Sequence, residues 1–253
     1  MSVNDYLKRL FFVHKCASCR QILPYERFDE ALCDKCRATI EGAKTESCPE
    51  CFKGACECVC QTKMLSSVGS LCLCKLFFYH TDKENEPQNR LIYYLKHYPN
   101  RRAFSFAADE MWKCISREIE NMELSGESES FVFVSVPRGR AAWRQYGFDQ
   151  SDEICKWMSK ISGIPYVKAL SRKNGGKEQK KLTSAERKSN IQKLIYKNEL
   201  YAEQIKGKYV LLFDDIVTTG SSMSVCITIL RKMGAKGIIC CSLAKDLKIK
   251  SGR

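Results

Sequence analysis

The chain has 253 residues, enough for one sizeable hydrophobic core and a small second module. Its 42 Lys and Arg exceed its 29 Asp and Glu, which gives a net charge of +13. Residues 1–80 hold 11 basic and 9 acidic residues, so nearly all of the excess lies on residues 81–253. Such a surface attracts phosphate-bearing partners, although a basic surface that only confers solubility has the same composition.

Sixteen cysteines would suit a secreted disulfide scaffold, but many have metal-type spacing and no signal peptide precedes them. The apolar run at residues 10–13 is too short for a signal peptide or a membrane span. We therefore expect a cytoplasmic protein with reduced thiols and no membrane span. Five further cysteines fall on apolar faces and are predicted to be core residues, namely Cys114, Cys155, Cys226, Cys240 and Cys241.

The first cysteine group consists of Cys16 and Cys19, then Cys33 and Cys36. Two Cys-x-x-Cys turns each supply two thiolates, which together favour a tetrahedral zinc site over disulfides or free thiols. In the second group, Cys48, Cys51 and Cys60 need either Cys56 or Cys58 to complete another site. The predicted zinc ligands are Cys16, Cys19, Cys33, Cys36, Cys48, Cys51, Cys58 and Cys60.

Closed four-cysteine sites are structural, and a small module with few large apolar side chains needs such metal sites to fold. Contact of this module with nucleic acid is the alternative. We predict a Cys-rich zinc-binding module over residues 1–64 and an α/β domain over residues 65–253.

The second domain alternates strands and helices, as the repeated units of a parallel sheet do. Apolar residues at helical spacing predict helices within residues 91–98, 103–122 and 150–160. A strand or hairpin is predicted within residues 65–80. Further strands are predicted at residues 131–136, 164–167 and 238–244.

The central stretch of the sequence begins at Tyr209. A short apolar run to Phe213 has the pattern of a strand buried on both faces, and Asp214 and Asp215 follow where that strand should end. A polar turn comes next, and then a helix that Gly234 should end. The turn therefore lies outside the carboxyl end of a strand, where open α/β sheets bind ligands.

This turn has the residue types of a monophosphate site. Backbone N–H groups at a helix start favour an anion, Gly220 permits close approach, and neighbouring hydroxyls add donors. Asp214 and Asp215 would repel phosphate, so they are assigned to sugar hydroxyls or a Mg²⁺ complex. A strand end followed by an ordinary helix cap is the alternative, but it leaves the acidic pair without a role. The predicted binding residues are Asp214, Asp215, Ile216, Val217, Thr218, Thr219, Gly220, Ser221 and Ser222.

Two further segments could bind anions. Pro137 is followed by Arg138, Gly139 and Arg140, and the forked donors of the two arginines suit a second phosphate group. An ordinary surface turn is the alternative interpretation of this segment. Residues 168–193 hold nine Lys or Arg and two acidic residues, and are expected to form a mobile loop that is either solvated or closes over a polyphosphate. Its candidate residues are Arg172, Lys177, Gln179, Lys180, Lys181 and Arg187.

The apolar strand with Asp-Asp-x-x-Thr-Thr-Gly resembles the phosphoribosyltransferase family. That resemblance implies that Asp214 and Asp215 bind the ribose hydroxyls of phosphoribosyl pyrophosphate and are the catalytic residues. It also implies that residues 218–222 surround the 5′-phosphate. The order of further motifs resembles that of the ComF family, whose members are tied to DNA uptake in natural transformation. These motifs include Leu91-Ile92, Leu95-Lys96, Val136-Pro137, Gly147-Phe148-Asp149-Gln150, Leu182, Glu186-Arg187 and Asn190.

The ComF resemblance covers nearly the whole chain. It implies a type I phosphoribosyltransferase-like α/β fold, a parallel sheet flanked by helices, with a small N-terminal zinc module. The chain departs from the family pattern at Tyr146, where the family has Arg, and at Asp149, where it has Asn.

Two functions are consistent with the sequence. The first is a phosphoribosyltransferase that binds phosphoribosyl pyrophosphate with Mg²⁺, with an unknown acceptor and the competence machinery as partner. The second is a single-stranded DNA-binding protein that uses the phosphate site and basic loop without turnover, with salt-dependent affinity. The acidic pair favours the first, and the basic excess favours the second.

Overall fold

The computed structural model describes residues 13–124, 126, 130–173 and 194–247, and of residues 140–142 only the backbone. In this part of the chain the helices are α1 (Asp34–Lys44), α2 (Lys63–Ser67), α3 (Pro87–His97), α4 (Arg101–Asn121), α5 (Arg140–Tyr146), α6 (Gln150–Ser162), α7 (Ala202–Ile205) and α8 (Ser221–Lys232). The strands are β1 (His14–Lys15), β2 (Ile22–Leu23), β3 (Leu73–Tyr79), β4 (Phe131–Ser135), β5 (Leu170–Arg172), β6 (Ile195–Lys197), β7 (Tyr209–Val217) and β8 (Gly237–Asp246).

Four strands form a parallel sheet in the order β3, β8, β7, β4. Residues of each strand enter two separate cores, and along β4 and the first half of β7 they do so alternately. Helices α3, α4 and α6 contribute to one core, and α2, α7 and α8 contribute to the other. Because both faces are covered, the strands are nearly continuous apolar runs. The predicted α/β architecture is confirmed.

Most elements lie where the sequence predicts them, but the strand predicted at residues 164–167 is reduced to one parallel bridge between Tyr166 and Phe133. Pro165 has no N–H to donate, so a regular ladder cannot run through this segment. Its carbonyl still accepts a hydrogen bond from the Phe133 N–H at 2.9 Å. The segment thus extends the sheet beside β4 without forming a full strand.

Strand β7 is longer than the sequence predicts. It continues through Asp214 and Asp215 to Val217 because β8 continues to pair with it, with Ile216 opposite Ala244. On the other side, the β4–β7 pairing ends where Ser135 lies opposite Phe213. In the described part of the chain, no strand pairs with that side of β7 beyond Phe213.

The cysteine-rich N-terminal residues pack directly on the α/β part. The Ser18 hydroxyl donates to the Pro87 carbonyl at 3.0 Å, and Lys44 forms an ion pair with Glu110 on α4. Buried Lys75 on β3 donates to the Cys58 carbonyl at 2.5 Å. Contacts therefore cross the predicted boundary between residues 64 and 65, which stays a prediction.

No helix in the described residues is both long and apolar enough to cross a bilayer. Residues 1–12 lie outside the described part.

Candidate functional site

The acidic pair lies on the last part of β7, where, among the described strands, β8 alone pairs with it. The Asp214 carboxylate accepts the Asp215 backbone N–H at 2.9 Å, and the Asp215 carboxylate accepts the Ile216 N–H at 2.9 Å. Each side chain therefore uses one oxygen to satisfy the next backbone donor. The other oxygen of Asp215 pairs with the Arg138 guanidinium.

Asp214 lines an open cavity, yet most of its surroundings are protein. Burial raises the pKa of Asp214 well above its usual value, and the neighbouring Asp215 carboxylate raises it further. Two negative charges held this close are costly without a cation, so the pair is suited to bind a cationic complex or hydrogen-bond donors.

The turn after β7 opens onto the start of α8. Gly220 is the residue before the helix and has a φ of 81°, a left-handed conformation that favours glycine. It provides no side-chain cap to the first N–H groups of the helix. The hydroxyls of Thr219 and Ser221 are hydrogen-bonded to each other at 2.7 Å. The Ser221 N–H donates to the Thr219 hydroxyl oxygen at 3.3 Å. The helix start thus combines the positive end of the helix dipole with a turn rich in hydroxyl groups, which favours an anion.

A cavity of about 200 Å³ lies over this turn. It is several times the roughly 30 Å³ that one water occupies in the liquid, so a phosphoryl group fits. Its lining contains all of the predicted turn residues and Asp214, namely Asp214, Ile216, Val217, Thr218, Thr219, Gly220, Ser221, Ser222 and Met223.

Arg138 connects the acidic pair to the loop after β4. Its guanidinium forms an ion pair with Asp215 and donates to the Gln150 side-chain oxygen at 2.9 Å. It also lies 3.9 Å from the Asp149 carboxylate. The structure thus brings the predicted arginine loop and the predicted acidic pair together. Gly139 is the residue before α5, and the Arg140 side chain lies outside the described part.

Gln150 is a site residue that the sequence analysis did not select. It is fully buried, and its amide nitrogen has no hydrogen-bond partner while its oxygen holds Arg138. Burying an amide is costly unless its hydrogen bonds are made, so the unpaired nitrogen of this side chain lowers the stability of the fold. The Gly-Phe-x-Gln motif was the signal that could have identified it.

The two departures from the family pattern have different surroundings. Asp149 caps α6 by accepting the Ser151 N–H at 2.9 Å, and burial raises its pKa, with Asp152 adding to the effect. The Tyr146 ring contacts the edge of His97, with ring centroids 4.8 Å apart. Asp149 therefore belongs to the Arg138 surroundings, whereas Tyr146 makes an aromatic contact.

A second cavity of about 530 Å³ lies on the other side of Arg138. Its walls carry both signs of charge and four aromatic side chains. Arg172 lines it, which places the one described candidate residue of the predicted basic loop near the site. The lining includes Arg138, Trp143, Phe148, Asp149, Asp152, Glu153, Lys156, Lys168, Arg172, Tyr196 and Tyr201. Lys177, Gln179, Lys180, Lys181 and Arg187 lie outside the described residues.

The cysteines form two groups that could each hold a metal ion. In each group the four sulfur atoms lie within 4.8 Å of one another. The first group is Cys16, Cys19, Cys33 and Cys36, and the second is Cys48, Cys51, Cys58 and Cys60. Of the two alternatives that the spacing left open, the geometry selects Cys58 and leaves Cys56 outside the group.

Known proteins are similar to the part of the chain that contains this site. The phosphoribosyl transferase domain model matches residues 160–250, which include β7, the turn and α8. The DNA utilization protein YhgH of Escherichia coli K12 is 32% identical over 116 residues, 45% of this chain and 49% of YhgH. The competence protein ComFC of Streptococcus pneumoniae is 23% identical over 220 residues, 86% of this chain and 89% of ComFC. The chain is a ComF-family protein with a phosphoribosyltransferase-type domain.

The alignment of this ComF-family chain spans about half the length of the YhgH proteins that it matches. Among solved structures, purine phosphoribosyltransferase from Pyrococcus horikoshii is similar at 17% identity, covering 56% of this chain and 84% of that chain. The TM-score of this comparison is 0.33.

The raised pKa of Asp214 predicts a pH-dependent gain in stability for Asp214→Asn. When a carboxyl group has a higher pKa in the folded than in the unfolded protein, the protein loses stability as the pH rises from the unfolded-state pKa through the folded-state pKa. Asn cannot ionise, so the variant escapes this loss. We expect its free energy of unfolding to exceed that of the wild type at pH 8 and to differ less at pH 4, measured by urea denaturation.

The exposed Asp82→Asn is the matched control, and it should follow the wild type at both pH values. A variant Asp214→Asn that is less stable than wild type at pH 8, or equally shifted at both pH values, would contradict the burial of this charge.

Proposed function

We propose that this ComF-family chain binds phosphoribosyl pyrophosphate with Mg²⁺ and transfers its phosphoribosyl group to an acceptor. The observation that carries the proposal is the acidic pair at the open side of β7, immediately before a phosphate-sized cavity at the head of α8. Such a site suits a ligand in which vicinal hydroxyls and a phosphate are joined by a short carbon frame.

In this proposal Asp214 and Asp215 accept hydrogen bonds from the two ribose hydroxyls. The N–H groups and hydroxyls of residues 218–222 bind the 5′-phosphate. The two functions must be separated, since carboxylates repel phosphate. The change from strand to helix after Val217 supports that separation.

Arg138 would bind the pyrophosphate group. Without a ligand, its guanidinium neutralises Asp215, which limits the cost of the buried acidic pair. A pyrophosphate offers paired oxygens that match the guanidinium fork. The Gln150 carboxamide oxygen accepts a hydrogen bond at 2.9 Å from the same guanidinium nitrogen that pairs with Asp215, which limits the orientations of the guanidinium. The basic loop predicted at residues 168–193 would close over the pyrophosphate and exclude water.

The donor set also fits Mg²⁺, which in proteins binds one or two carboxylates together with substrate phosphate oxygens. When bound, the metal would neutralise charge that develops on the leaving pyrophosphate. The bond from ribose C1 to the pyrophosphate oxygen breaks, and its electron pair leaves with pyrophosphate. A lone pair of the acceptor then forms the new bond to C1, and the acceptor loses a proton.

The relatives named for competence and DNA utilization support a link to DNA uptake. Binding of single-stranded DNA is the second candidate function. The larger cavity favours it, because Trp143 is 58% exposed, Tyr196 is 43% exposed, and Lys156 and Arg172 line the same walls. Exposed aromatic rings beside cations are how proteins stack and hold single strands without sequence preference.

Calorimetric titration separates the two functions. We expect phosphoribosyl pyrophosphate to bind the wild type in Mg²⁺. Binding to the double variant Asp214→Asn/Asp215→Asn should be at least about tenfold weaker, because charge-assisted hydrogen bonds to the ribose are lost.

The matched control, Trp143→Ala/Lys156→Ala, should bind the sugar phosphate normally and should lose affinity only for a single-stranded oligonucleotide. No binding of phosphoribosyl pyrophosphate to folded wild type, with intact oligonucleotide binding, would reject the transferase proposal in favour of the second function.

We further propose that each cysteine group binds one zinc ion in a structural role. The Cys19 and Cys33 sulfur atoms are 3.7 Å apart. Two ligands of a tetrahedral site with 2.3 Å zinc–sulfur bonds are separated by about 3.8 Å. Four-thiolate sites require reduced cysteines, which supports the cytoplasm as the compartment.

The second zinc site predicts a contrast between two neighbouring cysteines. Wild-type protein and Cys56→Ser should each contain two zinc ions per chain by elemental analysis, whereas Cys58→Ser should retain one. Equal zinc content in the two variants would contradict the assignment of Cys58, and less than one zinc ion per wild-type chain would contradict both sites.

A further inference from the structure

The segment that follows the second cysteine group lies against the phosphate-binding turn. Residues 61 and 62 lead from Cys60 into α2, and α2 packs against α8. We propose that Thr62 and Leu65 are positioning residues for this turn, and that they couple it to the metal site at Cys58 and Cys60. The proposal rests on the function proposed above and adds to it a role for the cysteine module.

The first contact is a hydrogen bond. The Thr62 hydroxyl donates to the Thr219 carbonyl at 3.2 Å, although the two residues are 157 positions apart in the sequence. The same oxygen accepts the Leu65 N–H at 3.4 Å and so caps α2. The hydroxyl therefore uses its single donor on the turn and an acceptor position on its own helix. This fixes the carbonyl that immediately precedes Gly220.

The second contact is packing. A methyl group on Gly220 would lie 2.9 Å from the Leu65 Cγ atom and 2.9 Å from the Thr62 hydroxyl oxygen. Real side chains do not approach this closely, so the backbone of Gly220 must rest directly on these two residues. Leu65 is fully buried. The left-handed turn thus packs directly against α2.

The third step connects Thr62 to the metal site through a short and well-anchored path. Gln61 donates its amide to the Ser70 carbonyl at 3.1 Å, and the Val59 carbonyl accepts the Leu73 N–H at 3.2 Å. The Cys60 N–H lies 3.4 Å from the Cys58 sulfur. Thr62 is separated from Cys60 by one residue, so a metal that fixes Cys58 and Cys60 also fixes where Thr62 can lie.

The first cysteine group provides an internal comparison. Its contact with the α/β part includes the Ser18 hydrogen bond to Pro87, at the start of α3. Helix α3 belongs to the core on the other face of the sheet from α2 and α8. The coupling should therefore be specific to the second metal site. Because coupling between binding sites is reciprocal, a ligand at the turn must also tighten the second metal.

The test uses Thr62→Val, which removes the hydroxyl with little change in shape, and Thr62→Ser, which restores it. Thr39→Val is the matched control, since the Thr39 hydroxyl donates to the Lys35 carbonyl at 2.9 Å at an exposed position of α1. We expect Thr62→Val to keep two zinc ions and to bind phosphoribosyl pyrophosphate with Mg²⁺ about tenfold more weakly. Thr62→Ser and Thr39→Val should bind like the wild type.

Hydrogen exchange of residues 218–223 without ligand gives a second readout that does not require the proposed function. Thr62→Val and Cys58→Ser should accelerate exchange there, and Thr39→Val should not. In the wild type, phosphoribosyl pyrophosphate should slow chelator removal of one of the two zinc ions.

The outcomes separate the two proposals. If the wild type does not bind phosphoribosyl pyrophosphate, while exchange of residues 218–223 is accelerated in Thr62→Val, the proposed function is rejected and this coupling is retained. Sugar-phosphate binding that is unchanged in a folded, zinc-loaded Thr62→Val, together with unchanged exchange, would overturn the coupling and leave the proposed function intact.

Discussion

The site depends on one constraint, which is that β7 is paired on only one side beyond Phe213. Pairing with β8 holds Asp214 and Asp215 in extended backbone, while the missing partner on the β4 side leaves room for Arg138. A strand that ended at Phe213 would have left the two carboxylates on a loop without a fixed direction.

This arrangement lowers stability locally. Two adjacent carboxylates are held together, Asp214 has a raised pKa, and Gln150 has a buried amide nitrogen without a partner. Arg138 offsets part of the cost through Asp215. Such unsatisfied groups are unfavourable in a core but are common where a ligand completes them. Their concentration around one guanidinium supports a binding role for this part of the molecule.

The two cysteine groups differ in their relation to that site. The first contacts the start of α3, whereas the second is continuous with the segment that contacts the turn between β7 and α8. The second also lies beside β3, where buried Lys75 donates to the Cys58 carbonyl. The cysteine module is thus integrated into the α/β part rather than attached to it by a linker, and this integration gives it a way to affect ligand binding.

Local patterns in the sequence were enough to predict α3, α4, α6 and α8, the strands of the parallel sheet and the turn at Gly220, because periodicity and glycine conformation are local properties. The extension of β7 could not be predicted, since it depends on how far β8 continues beside it. Similarly, spacing did not distinguish Cys56 from Cys58. The contacts of Thr62 with Thr219 and of Arg138 with Gln150 arise only when distant segments meet in the fold.

The central claim is that the acidic pair and the turn after β7 form one site for a phosphorylated ribose. A crystal structure of the chain with Mg²⁺ and phosphoribosyl pyrophosphate tests it most directly. The account predicts ribose hydroxyls within hydrogen-bond distance of Asp214 and Asp215, and a phosphate at the backbone N–H groups of residues 219–222. A sugar phosphate bound elsewhere, with the Arg138–Asp215 ion pair intact and the cavity at the head of α8 empty, would contradict it.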